Sequence, residues 1–253
     1  MTKTLIRLTV LLLAAAALLV LQRERVALSV RYLKARLTPK ATVEDRLRSY
    51  ESVARQRLAP ALQARGLSYP LETFTLLIIK DASLLQLFAR DRSQRPIHIK
   101  DYPLLAESGT LGPKLREGDG QIPEGIYQIN FLNPNSLYHL SMRLNYPNEF
   151  DQAMAKRDGR TQLGGDIMIH GRNMSIGCVA IGDPGIEEIF CLAARANLQN
   201  VKVIIVPTDW RSKPFDLKTI KGPVWLPELH ANLKAEIDQL NPAATPPPPD
   251  RPR

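Results

Sequence analysis

Residues 166–180 read Asp166-Ile167-Met168-Ile169-His170-Gly171-Arg172-Asn173-Met174-Ser175-Ile176-Gly177-Cys178-Val179-Ala180. The apolar run from Asp166 to His170 has the length of a strand, Gly171 to Gly177 forms a loop with glycine at both ends, and Cys178 opens a second strand. Such a strand–loop–strand unit brings an imidazole within reach of a thiol. A thiol of ordinary pKa, about 8.5, is only about 3% thiolate at pH 7, and a neighbouring imidazolium lowers that value. Cys178 with His170 therefore reads as a nucleophile with its general base. Gly177 lets a substrate carbonyl approach the backbone, and the amides of Gly177 and Cys178 are candidate oxyanion-hole donors. Ser175 is placed to support the loop. Arg172 and Asn173 read either as contacts for a substrate carboxylate or as solvated loop residues. From residues alone, the His and Cys could equally be a buried pair or two metal ligands. A zinc site needs further ligands, and His98, His139 and His230 lack ligand spacing, so each reads as structural or solvated.

Outward from this unit, apolar runs alternate with turn signals. They are Thr73–Lys80, Leu84–Arg90, Ile97–Glu107, Gly125–Leu132, Tyr138–Leu144 and Val201–Val206. The expected fold is mostly β with flanking helices, a sandwich or barrel-like sheet assembly over residues 71–208. Asp183 reads as an N-cap, Pro184 as the first helical residue, and Cys191 as a small buried hydrophobe on the apolar side of the helix that follows. Asn145-Tyr146-Pro147 reads as a turn after a strand, or as the wall of a substrate groove through Tyr146. Residues 26–70 read as a helical connector, with apolar positions Val43, Leu47, Tyr50, Val53, Leu58 and Leu62. A helical extension occupies 209–240, with Leu229, Leu233, Ile237 and Leu240 on one face. The tail 241–253, with Pro246 to Pro249, is expected to be extended.

Residues 1–25 contain Lys3 and Arg7 ahead of an apolar run from Leu8 to Leu21, which reads as a signal peptide or membrane anchor that exports the chain. The expected location is the periplasm or the periplasmic side of a bacterial inner membrane. Cys178 and Cys191 are then in a space that permits a disulfide. A net charge of +9 fits an anionic lipid surface or a carboxylate-rich polymer. Nucleic acid is disfavoured, because no zinc-finger spacing, RNP-type segment or long basic run occurs.

Three segments together resemble a known family. The His170-Gly171 then Ser175-x-Gly177-Cys178 arrangement, the glycine-rich Ser108-Gly109-Thr110-Leu111-Gly112-Pro113-Lys114, and Gly118-Asp119-Gly120-Gln121-Ile122-Pro123-Glu124-Gly125-Ile126-Tyr127 are similar to the L,D-transpeptidase (YkuD-type) catalytic domain. The resemblance implies a Cys178 thioester formed on a peptidoglycan stem peptide, with His170 relaying the proton and no metal or organic cofactor needed. Most of that family has a longer His-to-Cys segment and an Arg where this chain has Ala180. These departures, with residues 144–151 and the Glu187-Glu188-Ile189 helix, resemble the YafK-type subgroup. That likeness implies an alternative role as a hydrolase releasing peptidoglycan-linked lipoprotein or peptide. A third reading, from another class, is an inactive peptidoglycan-binding module.

Overall fold

A computed structural model describes residues 40–106, 108–173, 177–212, 220 and 222–240. The expectations for the N-terminal segment 1–25, for Ser175 and for the tail 241–253 lie outside the described residues. Among the described residues, no helix is long and apolar enough to cross a membrane.

Helix α1 (Val43–Gln63) precedes strands β1 (Phe74–Ile79), β2 (Leu84–Arg90), β3 (Pro96–Pro103), β4 (Gly125–Asn133) and β5 (Ser141–Leu144). Then come α2 (Glu149–Arg157), β6 (Met168–His170), β7 (Val179–Ala180), α3 (Gly182–Arg195), β8 (Val201–Val206) and α4 (Leu226–Asp238). The strands form one eight-stranded sheet in the order β3-β2-β1-β8-β4-β5-β6-β7. Of the sandwich and barrel-like expectations the barrel-like one fits: the described strands form a single curled sheet flanked by helices, mostly β as expected. β4 makes the curl possible, because Gly125–Gln128 pair with β8 while Ile129–Asn133 pair with β5.

The central pair explains why its sequence does not alternate. β1 and β8 run parallel, with Phe74 opposite Val201 and Ile79 opposite Val206. Leu76, Ile78, Val203 and Ile205 enter the larger core beside Leu58, Leu62 and Phe190. Leu77, Ile79, Ile204 and Val206 enter a second core with Leu229, Leu233 and Ile237 of α4. Strands buried on both faces are apolar throughout.

The helix expected to be a connector is packed into this body. Thr42 and Asp45 form a reciprocal capping box at its start, and Leu47, Ala54, Leu58 and Leu62 are buried. Cys191 packs with Leu47 and Ala54, and Cys178 and Cys191 are not joined in a disulfide. Two boundaries differ from expectation: β3 stops at Pro103, and β5 starts only at Ser141, after His139 in the left-handed region at φ 72°. α2 follows the Asn145-Tyr146-Pro147 stretch, in residues to which no element was assigned from sequence.

Candidate active site

β6 is held from both sides. Ser141 of β5 pairs antiparallel with His170, and Ala180 of β7 pairs parallel with it. Ile181 N–H donates to the His170 carbonyl at 3.0 Å, and Gly171 N–H donates to the Leu140 carbonyl at 3.2 Å. Cys178 immediately precedes β7, two positions before the residue that pairs with His170.

The imidazole is 2% exposed. Its Nδ1 lies 2.6 Å from the Gly171 carbonyl oxygen. A carbonyl only accepts, so Nδ1 carries the proton and the neutral ring keeps its lone pair on Nε2. The Tyr138 ring covers the imidazole at a centroid distance of 4.7 Å. Burial holds the His170 pKa below the usual imidazole range, partly opposed by the Gly171 carbonyl.

The Cys178 thiol lies 3.8 Å from the Asp166 carbonyl. Burial pushes its pKa up; the Met168 N–H pulls it down, Asp166 raises it and Lys114 lowers it. In both groups burial disfavours the charged form. Burial also pushes the Cys191 thiol up, to about 12, with Glu51 and Glu187 adding to it.

Gly177 has φ +94°, and a Cβ there would lie 3.3 Å from the Gln121 carbonyl oxygen. Its N–H donates to Ser108 Oγ at 2.5 Å. The Gly177 amide, expected as an oxyanion-hole donor, is therefore engaged inside the protein in this state. Asp183 does not cap its own helix, whose N-cap is Ile181 and whose third residue is Pro184. Its Oδ1 instead accepts from the Arg172 N–H at 2.8 Å, which ties the His170 loop to α3. Gly171 is required there, since a Cβ would sit 2.6 Å from the same oxygen.

Arg172 and Asn173 are exposed in that loop. Tyr146 corrects the expectation of a groove wall. It is 6% exposed, donates its hydroxyl to the Leu163 carbonyl at 3.2 Å and packs edge-on against Tyr127, as a core residue. The other histidines are each held by an acid: His98 by Asp101 at 2.6 Å, His139 by Glu187 at 2.9 Å and His230 by Glu124 at 3.3 Å. Among the described residues, no group of three or more His, Cys, Asp or Glu side chains could hold a metal.

The structure adds residues that the sequence did not assign. Asp119 organises the glycine-rich loop. One oxygen accepts from Lys114 Nζ at 2.6 Å and Gln121 N–H at 3.1 Å, the other from Leu115 N–H at 2.9 Å and Arg116 N–H at 3.0 Å. Burial raises the Asp119 pKa, but Lys114 and the backbone N–H groups outweigh it and hold the carboxyl below its usual range. Lys114 and Ser108 lie within segments quoted above, whereas Tyr138 carried no sequence signal. A cavity of about 700 Å³ opens beside this loop, lined by Arg116, Asp119, Gln121, Arg160 and Gln162 among others. Another, of about 640 Å³, is lined by residues such as Phe88, Gln128 and Lys202 and includes neither His170 nor Cys178.

The family described as the L,D-transpeptidase catalytic domain (YkuD) matches residues 75–205, just over half of the 253 residues. A curated Escherichia coli (strain K12) protein bears the L,D-transpeptidase name YafK, which assigns that activity provisionally. It is 33% identical over 170 residues, covering 65% of this chain and 62% of that protein. The match thus spans less than two thirds of that relative's length. Among solved structures, the helical cell shape determining protein Pgp2 from Campylobacter jejuni aligns with a TM-score of 0.44 and 21% identity, covering 54% of this chain and 48% of its own. Bdellovibrio bacteriovorus Bd1075 aligns with a TM-score of 0.39 and 25% identity, over 55% and 48% of the two chains. The described sheet, the matched residues and the His170–Cys178 segment within them lead to one conclusion: the chain belongs to the L,D-transpeptidase catalytic domain family.

Proposed function

We propose that this protein catalyses cysteine-dependent acyl transfer on peptidoglycan stem peptides, at the periplasmic side of the inner membrane or in the periplasm. The observation that carries the reading is that β6 ends in a buried imidazole whose Nδ1 is committed to the Gly171 carbonyl, beside the β7 segment that follows the partly accessible Cys178 thiol. With that tautomer, Nε2 takes the Cys178 proton as sulfur attacks the substrate carbonyl. The imidazolium so formed protonates the departing amine, which leaves a thioester on Cys178. A second amine, or water, then gives its proton to Nε2 and releases the acyl group. Arg172 and Asn173 are proposed to meet a substrate carboxylate, and Ser175 to support the loop.

Hydrolysis is the second reading. Ala180 is fully buried in β7 and offers an incoming acceptor no cation, so a second stem peptide is held only by other groups. A positioned acceptor can reach effective molarities of about 10⁵ M or more, against roughly 55 M for water, so weakened positioning shifts the outcome toward hydrolysis. On that reading the substrate includes peptidoglycan-linked lipoprotein. Product analysis with purified protein, peptidoglycan fragments and excess diaminopimelate-containing acceptor separates the two. New cross-linked muropeptides are the expected result, and exclusive release of peptide or lipoprotein would replace transfer by hydrolysis. No turnover at all would leave the binding-module reading.

A further inference from the structure

We propose that Ser108 is a positioning residue that fixes the turn carrying the nucleophile, an inference that rests on Cys178 being that nucleophile. Ser108 lies 69 positions before Gly177 in sequence, yet its Oγ accepts the Gly177 N–H at 2.5 Å and donates to the Gly120 carbonyl at 2.7 Å. Chemistry fixes both directions. A carbonyl only accepts, so the single hydroxyl proton is spent on Gly120; an amide only donates, so the lone pairs face Gly177. The hydroxyl is thus a two-way bridge that neither an apolar nor an acceptor-only side chain can reproduce.

The far end of the bridge is rigid. Gly120 follows Asp119, whose carboxylate gathers Lys114 and the N–H groups of Leu115, Arg116 and Gln121. The near end is constrained as well. Gly177 is in the left-handed region, with its α-carbon packed toward the Gln121 carbonyl. Just beyond it, Leu105 N–H donates to the Ala180 carbonyl at 2.8 Å, and Ala106 bridges to Ala180. The segment ending in Ser108 therefore grips the nucleophile turn at two places, by backbone beyond Cys178 and by the hydroxyl just before it.

Without the hydroxyl, the Gly177 N–H loses its acceptor and the turn loses its tie to the Asp119 loop. Acyl transfer needs sulfur and carbonyl carbon in near-attack geometry, where misplacement by about 1 Å costs on the order of 10²-fold. Binding groups elsewhere are untouched. The loss therefore falls on kcat rather than KM.

The test compares full-length wild type, Ser108→Ala, Ser108→Thr and Cys178→Ala on a disaccharide-tetrapeptide prepared from sacculi, with thermal melts and amide exchange at Gly177. Ser108→Ala should lower kcat about 10- to 100-fold at nearly constant KM. Its melting temperature should fall by about 2–8 °C, as the loss of roughly 1–2 kcal/mol of hydrogen bonding implies, which leaves it folded at the assay temperature, and its Gly177 amide should exchange faster. Ser108→Thr, which keeps the hydroxyl, should restore most of the rate and the protection. Wild-type kcat in Ser108→Ala would overturn the proposal. So would a loss that merely follows the unfolded fraction, equal impairment in Ser108→Thr, or unchanged exchange at Gly177. Activity surviving in Cys178→Ala would instead overturn the nucleophile assignment, while the exchange result still reports on the bridge.

Discussion

At the scale of single residues, the Gly171 carbonyl fixes which nitrogen of His170 carries the proton, and burial holds the His170 pKa down. Replacing His170 by Gln keeps a polar side chain of similar size but removes the titrating base. The expected outcome is a fall in kcat of about 10²- to 10⁴-fold, the usual contribution of a positioned acid/base. The pKa directions give a second signature. His170 is held below the ordinary value of about 6.5, so its neutral form contributes stability that is fully present above that value. That contribution is lost as pH falls from about 6.5 toward the lower, folded-state pKa, because the unfolded chain binds the proton first. Wild type should therefore lose stability relative to His170→Gln between about pH 7 and 5 in parallel denaturant titrations. Parallel curves for the two proteins would remove burial as the cause. The sequence exposed His170 and Cys178 through their types and separation. It could not expose Tyr138, whose place over the imidazole depends on the Gly171–Leu140 backbone pairing.

Among the elements, α2 shows how a short helix escapes a periodicity reading. It has nine residues and only one fully buried side chain, Ala155, so no apolar stripe announces it. Its start was nevertheless written in the sequence. Asn148 accepts from Asp151 N–H at 2.9 Å, and Asp151 accepts from Asn148 N–H at 3.0 Å. Asn148 Nδ2 also donates to the Ile126 carbonyl at 2.9 Å, which joins the helix to β4. Asn148→Ala should cost about 1–2 kcal/mol, a fall of roughly 2–8 °C in melting temperature for a protein of this size. An unchanged melt would show that the cap is not needed. Asp183 teaches the reverse lesson. Its position before Pro184 has the composition of a cap, but its carboxylate is taken by Arg172 across the loop, a tertiary partner that no local pattern encodes.

In the whole molecule, the two-faced sheet was legible as uninterrupted apolar runs at β1 and β8. Its continuity was not, because β4 changes partner midway and nothing in its sequence announces the exchange. A buried polar centre links the sheet, the glycine-rich loop and α4. Lys80 Nζ donates to the Gly112 and Ile122 carbonyls and to Glu124, while His230 of α4 faces the other Glu124 oxygen. Burial raises the Glu124 pKa, but His230, Lys80 and the Gly112 N–H outweigh it and hold the carboxyl below its usual range. Removing one charge leaves the other buried and poorly compensated, so Lys80→Met should destabilise the fold by about 3–5 kcal/mol in urea titration. A loss below about 1 kcal/mol would mean that the Gly112 N–H and His230 satisfy Glu124 without the cation. This centre also ties α4, outside the residues matched to the family, to Glu124, and through Lys80 to the Gly112 and Ile122 carbonyls.

The central claim is that Cys178 carries the acyl group, and intact-mass analysis tests it most directly. Full-length protein is mixed with disaccharide-tetrapeptide, quenched in acid within one turnover, and digested to locate any adduct. The account predicts a single acyl adduct on Cys178, formed equally well by Cys191→Ala and absent from Cys178→Ala, which should also lose turnover while keeping its thermal melt. Turnover persisting in Cys178→Ala, or an adduct found on Cys191, would contradict it.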